Sequence, residues 1–534
     1  MRAGGGIVVD VVVAVGVLAL SAAGCTAKAP RRIVYDVRDY GAIADGKTKN
    51  TEAIRKAIAA ASANGGGTVV FTGGDYLTGP IHVTSNLTLT IDAGSRLKFS
   101  QDFDDYLPLV RVRWEGTEVN AFSPLIYGDK VHDVAINGRG TLDGQGEVWW
   151  NYFRALKQDH KKNHVWKVDS KWQMEFARRN QNIELPDDPD MIKMGFLRPP
   201  FVQFLDSRNI SIRDVTIINS PFWTINPVYC DEVTVSGVTI VNPDDSPNTD
   251  GIDPDSCRNV HISDCHISVG DDCVTIKSGR DRQGRRIGRP AENYTITNST
   301  MLRGHGGVVI GSEMSGGVSN IAISNCVFDG TDRGIRIKST RGRGGIVEHV
   351  EVSNIVMRNI RDEALTLNLF YTDAPPEPLS ERTPRFRDIH MSGITANAGQ
   401  AALFLGLPES VLEDVSISNV NIRAQRGFVV RDARNLRLHS VHVDTAAGPA
   451  FSIERVENLD LFDLGTQSPH PATAVIDLTA VQNTYLHGCL AAPGTDVFAR
   501  FSAVPAGEVA LDGNNLSQAK IPIATGVGTT HPTR

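Results

Sequence analysis

Three aspartates fall in two short clusters. Asp250 closes Asn248-Thr249-Asp250, and Asp271-Asp272 follow Gly270. Carboxyl groups held close together cannot all ionise cheaply. One keeps a proton to give, while the others stay anionic and activate water. Such converging carboxylates are the apparatus of glycoside hydrolysis, and an inverting site needs about 6.5–9.5 Å between acid and base. Asp250 and Asp271 are 271 − 250 = 21 residues apart. They meet only if the chain returns on itself at about that period, with adjacent strands roughly 4.7–4.9 Å apart. Consecutive residues on a straight strand point opposite ways, so a bend at Gly270 is expected to turn both Asp271 and Asp272 toward the site. Further along stand Gly304-His305-Gly306 and Arg336-Ile337-Lys338, at intervals of 305 − 272 = 33 and 336 − 305 = 31 residues. Arg336 and Lys338 flank Ile337, so both project from one strand face as a paired cation site suited to a carboxylate.

The elements that could position these residues are short strands. A unit of the form Asn/Asp–apolar–polar–apolar recurs, as in Asn209-Ile210-Ser211-Ile212, Asn259-Val260-His261-Ile262 and Asn293-Tyr294-Thr295-Ile296. Steps of 21–34 residues between copies are a solenoid signature. Each coil is too small to bury its own apolar face, so coils must stack. Leucine-rich repeats need a Leu-rich consensus at fixed length, whereas here Ile and Val dominate at variable spacing. The expected fold is all-β, a right-handed parallel β-helix, with stacked Asn turns at the head of each unit. Ile33 to Gly41 reads as the first strand. Asn50 to Ala63 reads as a short capping helix with Thr51 as N-cap and Ile54, Ile58 and Ala61 on one face. The catalytic domain is placed at residues 33–523, with an insert at 146–200 and a disordered tail at 524–534.

The chain has 534 residues and a formal net charge of −7, so nothing argues for nucleic acid. An acidic polymer would need a local basic patch. The insert offers one: eight basic residues against three acidic between Arg154 and Arg179, with four of the six tryptophans nearby. Residues 1–25 read as a targeting segment. The apolar run Ile7 to Ala23 ends in Ala22-Ala23-Gly24-Cys25, which resembles a bacterial lipoprotein signal with Cys25 lipidated. Residues 26–32 would be a linker. The protein is thus expected at the cell surface or in the periplasm, or secreted, touching a membrane only through the lipid at Cys25. None of the other six cysteines forms C-x-x-C, and Cys265 and Cys326 occupy matching repeat positions, which suggests stacked buried thiols. The 246–257 window departs from a calcium loop at Ser246 and Cys257.

Asn248-Thr249-Asp250, Gly270-Asp271-Asp272, Gly304-His305-Gly306 and Arg336-Ile337-Lys338, taken in order, resemble the four motifs of the polygalacturonase family, glycoside hydrolase family 28. The opening Tyr35 to Ile58 is similar to the start of pectin-degrading β-helix proteins. The resemblance implies Asp271 as general acid, Asp250 and Asp272 as the bases positioning water, and His305 supporting the acid. It places Asn248, Arg336, Lys338 and a tyrosine, here Tyr371, in substrate binding. The implied partner is an acidic plant polysaccharide, pectin or galacturonan, handled by a monomer without metal or cofactor. Gly270 stands where many members have Gln, and no cysteine precedes Gly304 to pair with Cys273. Exo attack would follow if the insert blocked one end of the groove and stacked its tryptophans on sugar. A pectate lyase and a non-catalytic adhesin are the rivals on this fold. Lipidation is checked by metabolic labelling with a fatty-acid probe. The full-length chain should be labelled and Cys25→Ala should not; label on both would refute it.

Overall fold

The computed structural model describes Met1 and residues 33–526, so Cys25, the linker and the last eight residues lie outside the described part. The chain winds as a right-handed parallel β-helix, the hand that parallel crossovers take. Each full coil contributes one strand to each of three sheets. Successive strands of the first sheet include His132–Gly138, Arg208–Arg213, Asp231–Ser236, Arg258–Ser263 and Ala291–Thr297. The second carries Thr216–Ile218, Thr239–Val241, His266–Ser268 and Thr300–Gly304. The third carries Val202–Leu205, Val274–Ile276, Val308–Ile310 and Ile335–Lys338, with single bridges at Ile225 and Ile252.

Side-chain alternation puts every second residue inside. Val134, Ile210, Val233, Val260, Tyr294, Ile321, Val350, Ile389 and Val415 are in register on nine successive coils and all are buried. No coil could bury these residues alone. Stacking removes both faces of each from water, at roughly 25 cal/mol per Å² of apolar area.

Asparagine turns set the register. Asn259, Asn293 and Asn320 lie in the left-handed region at φ 56°, 62° and 58°. Their amides form a ladder: Asn293 Nδ2 donates to Asn259 Oδ1 and Asn320 Nδ2 to Asn293 Oδ1, each at 3.0 Å. A second ladder runs from Asn483 through Asn458 and Asn435 to Asp414.

Several details differ from expectation. The first strand is only Val34–Asp36, and a 3-10 turn at Val37–Tyr40 follows. Helix α1 (Thr51–Ala63) buries Ile54, Ala57, Ile58 and Ala61 against the first coil. Asn50, not Thr51, occupies the N-cap position, and its side chain instead bonds Ile43 and Thr48. Thr51 Oγ1 accepts from the Gly79 amide at 2.7 Å. The final strand, Ala519–Thr525, crosses the expected tail boundary because its end still pairs with Arg500 and Phe501. All six described cysteines are free and buried. Cys265 and Cys326 share one row, but with Ser299 on the coil between them.

The insert folds as α2 (Glu147–Asn163), α3 (Lys171–Arg179) and a short turn of helix at Asp190–Lys193. Asn293→Ala should cost about 2 kcal/mol, from two lost side-chain bonds and a left-handed backbone without asparagine. Asn293→Gly should recover the backbone part. Chemical denaturation of the two variants checks this, and equal losses would deny the backbone its share.

Candidate active site

The site lies where the chain turns into the third sheet. Ile252 bridges Val274, so Asp250 stands over Asp272 on the next coil and Asp271 sits one residue earlier, in the turn. The coil repeat here is therefore 272 − 250 = 22 residues, one more than the spacing to Asp271 suggests. Gly270 makes the turn possible through close approach: a Cβ there would lie 2.3 Å from the Ser246 carbonyl oxygen. One oxygen from each of Asp250, Asp271 and Asp272 lies within 4.8 Å of the others. These nearest oxygens are closer than the gap expected for an inverting pair.

The three differ in surroundings. Asp272 is buried; Lys338 Nζ lies 2.8 Å from its Oδ2 and an Arg336 nitrogen 3.7 Å from its Oδ1. Burial pushes its pKa up, but Lys338 and Arg336 outweigh this and hold it at about 2. Its ionised form thus contributes stability above the ordinary carboxylate pKa, lost as pH falls through about 2. Asp250 is also buried, and its pKa is driven well above the usual range by burial and by Asp253 and Asp271. Oδ1 of Asp250 and Oδ1 of Asp272 are both buried without a hydrogen-bond partner. Asp271 is the most open of the three at 19% exposure. Its Oδ1 accepts from the Asp272 amide at 2.9 Å and lies 3.0 Å from His305 Nδ1. That bond raises the His305 pKa above its ordinary value, against partial burial.

Arg336 and Lys338 do project together, with Ile337 buried between them. Both face Asp272, and the Tyr371 ring lies over them, 5.6 Å from the guanidinium and 5.2 Å from the ammonium. Asn248 reaches the site from the other side, held by Arg198 at 2.8 Å. Asn248, the three aspartates, Lys338 and Tyr371 thus face one space, with His305 bonded to Asp271 and Arg336 3.7 Å from Asp272 at its edge.

The site opens into a cavity of about 510 Å³ whose lining includes Asn248, the three aspartates, Lys338 and Tyr371. Asp271 lines this cavity, and His305 lines a second one of about 550 Å³ with Arg303 and Arg361. A hairpin of strands Val110–Trp114 and Thr117–Ala121 contributes to one wall of the first cavity. Under it the outward row Gln203, Asn226 and Asp253 of the third sheet is fully buried. Gln203 donates to the Arg113 carbonyl, and Arg113 donates to Asp255. The hairpin tip places Glu115 at the cavity wall.

The insert does not act as expected. Trp149 and Trp150 are buried, and Trp149 and Trp172 pack with Phe103 and Phe196 in an aromatic core. Trp166 stacks on His160 instead of facing the cavity. Its basic residues pair on the surface, as in Arg154–Asp245, Lys171–Asp104 and Arg178–Glu175. What reaches the cavity is Asp187, Asp188 and Met191. Sequence reasoning also missed Arg198, Trp223, Lys277 and Glu313. The two-residue turn Glu115-Gly116, at φ 43° and 75°, was a hairpin signal between alternating strands.

A solenoid cavity lined by converging carboxylates together with two lysines and four arginines has the charges that acid–base chemistry needs. The sequence profile for glycosyl hydrolases family 28 matches residues 190–428, and one described as rhamnogalacturonase A/epimerase, pectate lyase-like, matches residues 34–110. A probable polygalacturonase of Vitis vinifera is 32% identical over 395 residues, spanning 72% of this chain and 73% of that one. An endo-polygalacturonase of Pectobacterium carotovorum is 28% identical over 361 residues, 67% of this chain and 80% of that one. The crystal structure of a hyperthermoactive exopolygalacturonase from Thermotoga maritima superposes with a TM-score of 0.68 at 33% identity, covering 78% of this chain and 92% of that one. The chain belongs to glycosyl hydrolase family 28 and is a glycoside hydrolase.

His305 should stay charged below its raised pKa and lose its hold on Asp271 as pH climbs through it. Activity should therefore fall on an alkaline limb above the ordinary histidine range. His305→Asn should lower kcat on the order of 10² and abolish that limb. A pH–rate profile with the limb intact would remove His305 from the site.

Proposed function

We propose that this protein hydrolyses α-1,4-galacturonosyl linkages of polygalacturonate from a chain end, with inversion. The observation that supports the reading is the bonded pair Asp271–His305 beside a cavity lined by Asp250, Asp271, Asp272, Lys338 and Tyr371. Asp271, the open carboxyl, protonates the leaving oxygen, and His305 orients it. Asp250 and Asp272 lie one coil apart and both line the cavity, where their carboxyls hold the water. Asp272 is kept ionised by Lys338, and Asp250 and Asp272 act together as the base toward the water. Asn248 and Tyr371 border the sugar, and Arg336 and Lys338 add positive charge toward its carboxylate. Glu115 of the hairpin at 110–121 and Asp187 and Asp188 of the insert stand at the wall of this cavity, and on this reading they limit how many sugars pass beyond the cleaved bond. An endo enzyme needs a groove open at both ends.

Export accords with a polymeric substrate that cannot enter a cell. Lipidation at Cys25 would hold the enzyme at the cell surface, and a soluble secreted form is the alternative. Among the described residues no helix is long and apolar enough to cross a membrane.

The test is the early product profile from long polygalacturonate, read with proton NMR of the first anomer formed. Monomer or dimer appearing alone, as the β-anomer, with viscosity falling slowly, is expected. A ladder of oligomers would exclude exo attack, and α-anomer first would exclude inversion. Asp271→Asn should lower turnover by about 10²–10⁴ with the fold intact. Near-normal turnover would exclude Asp271 as the acid.

A further inference from the structure

Lys277 belongs to none of the four motifs, yet its side chain is 4% exposed and lines the active-site cavity. It sits on the third sheet in the row Asp255, Lys277, Gly311, Lys338. The two lysines are thus two coils apart on one face. Gly311 lies between them because a Cβ there would meet the Lys338 carbonyl oxygen at 2.2 Å. Lys338 serves Asp272. Lys277 Nζ lies 4.0 Å from Asp250 Oδ2, 3.1 Å from Glu313 Oε2 and 4.4 Å from the centre of the Trp223 ring.

The groups facing Asp250 make this lysine decisive. Asp253 lies on its own coil, and Asp271 and Asp272 come from the next. Arg198, from the insert, is the other nearby cation, but its guanidinium donates to the Pro221 and Pro247 carbonyls and to Asn248. Asp250 has no hydrogen bond on Oδ1 and is 3% exposed. A buried carboxyl among three others needs a cation to ionise at all. Glu313 competes for the same ammonium and is itself shared with Arg343 at 3.8 Å.

We propose that Lys277 is a positioning residue that keeps Asp250 ionised during turnover, with Glu313 setting how much of the lysine's charge Asp250 feels. This rests on Asp250 acting as a base toward water. Protonated, Asp250 would offer the water a hydrogen instead of an acceptor. Burial, Asp253, Asp271 and Asp272 push its pKa up, and Lys277 is the charge that opposes them. The acidic limb of activity then reports Asp250, and the lysine holds that limb down.

The experiment is the pH dependence of kcat and KM on polygalacturonate for Lys277→Met, Lys277→Arg and Glu313→Gln, with folding followed by circular dichroism. Lys277→Met should move the acidic limb up by about 1–3 units, the usual effect of an opposite charge at this distance. Lys277→Arg should bring it back toward wild type, and Glu313→Gln should move it down. Loss of turnover by one factor at every pH, or a raised KM with the limb unmoved, would overturn the proposal. If Lys277→Met fails to fold, Glu313→Gln still decides: a limb that stays or rises overturns it. Asp250→Asn separates this inference from the reading beneath it. A dead Asp250→Asn with an unmoved limb in Lys277→Met sinks only the role of Lys277, whereas an active Asp250→Asn sinks the base assignment.

Discussion

Coil-to-coil register in the third sheet is the constraint on which the site depends. Ile252 over Val274, Val274 over Val308 and Val308 over Ile335 are fixed by apolar packing inside the solenoid. Slipping one residue would turn each outward side chain inward. Because the inner rows cannot slip, the outer ones cannot either. Asp250 stays over Asp272, and Lys338 stays within reach of it. The fold therefore holds like charges together that would separate if free. Packing distributed over many coils opposes that repulsion, and two lysines on the same sheet face reduce it locally.

This explains which parts of the site were legible in the sequence. Asp250, Asp271, Asp272, His305, Arg336 and Lys338 could be read because a repeat converts spacing into position. Their intervals approximate whole coils, and a coil is a unit of known rise. Lys277 obeys the same rule, in Val274-Thr275-Ile276-Lys277, but its charge partner Glu313 follows the next coil's strand. A single cation on a strand reads as solvated. Only the folded chain shows this one buried, against Glu313 and the Trp223 ring.

The insert misled for a physical reason. Tryptophans and basic residues near an acidic-glycan site suggest sugar stacking and charge attraction. An excursion of this length outside the solenoid must, however, bury apolar surface of its own, and aromatic rings do this with the largest area per residue. Trp149 and Phe196 serve that core. Composition cannot separate a ring that faces sugar from a ring that faces Phe103. The same limit applied to the charges, which found partners on the surface, where such pairs are worth little.

Closure of the groove is then a question of what covers an outward sheet face. The outer row Gln203, Asn226 and Asp253 would be exposed and polar on a bare solenoid, open to a passing polymer. Here it is dry: Gln203 donates to Arg113 and Asn226, and Asn226 donates to the Asp253 carbonyl, while both carboxylate oxygens of Asp253 are buried without a hydrogen-bond partner. Trp114 stacks on Phe222 and donates to the Arg198 carbonyl, which ties the hairpin to both the coil and the insert. A buried polar row of this kind is favourable only while its cover stays in place, since uncovered partners would lose their dry setting and covered ones without partners would be costly. The hairpin is thus held in part by bonds to the sheet beneath it, from Gln203 to the Arg113 carbonyl and from Arg113 to Asp255, and it is part of the solenoid's own packing.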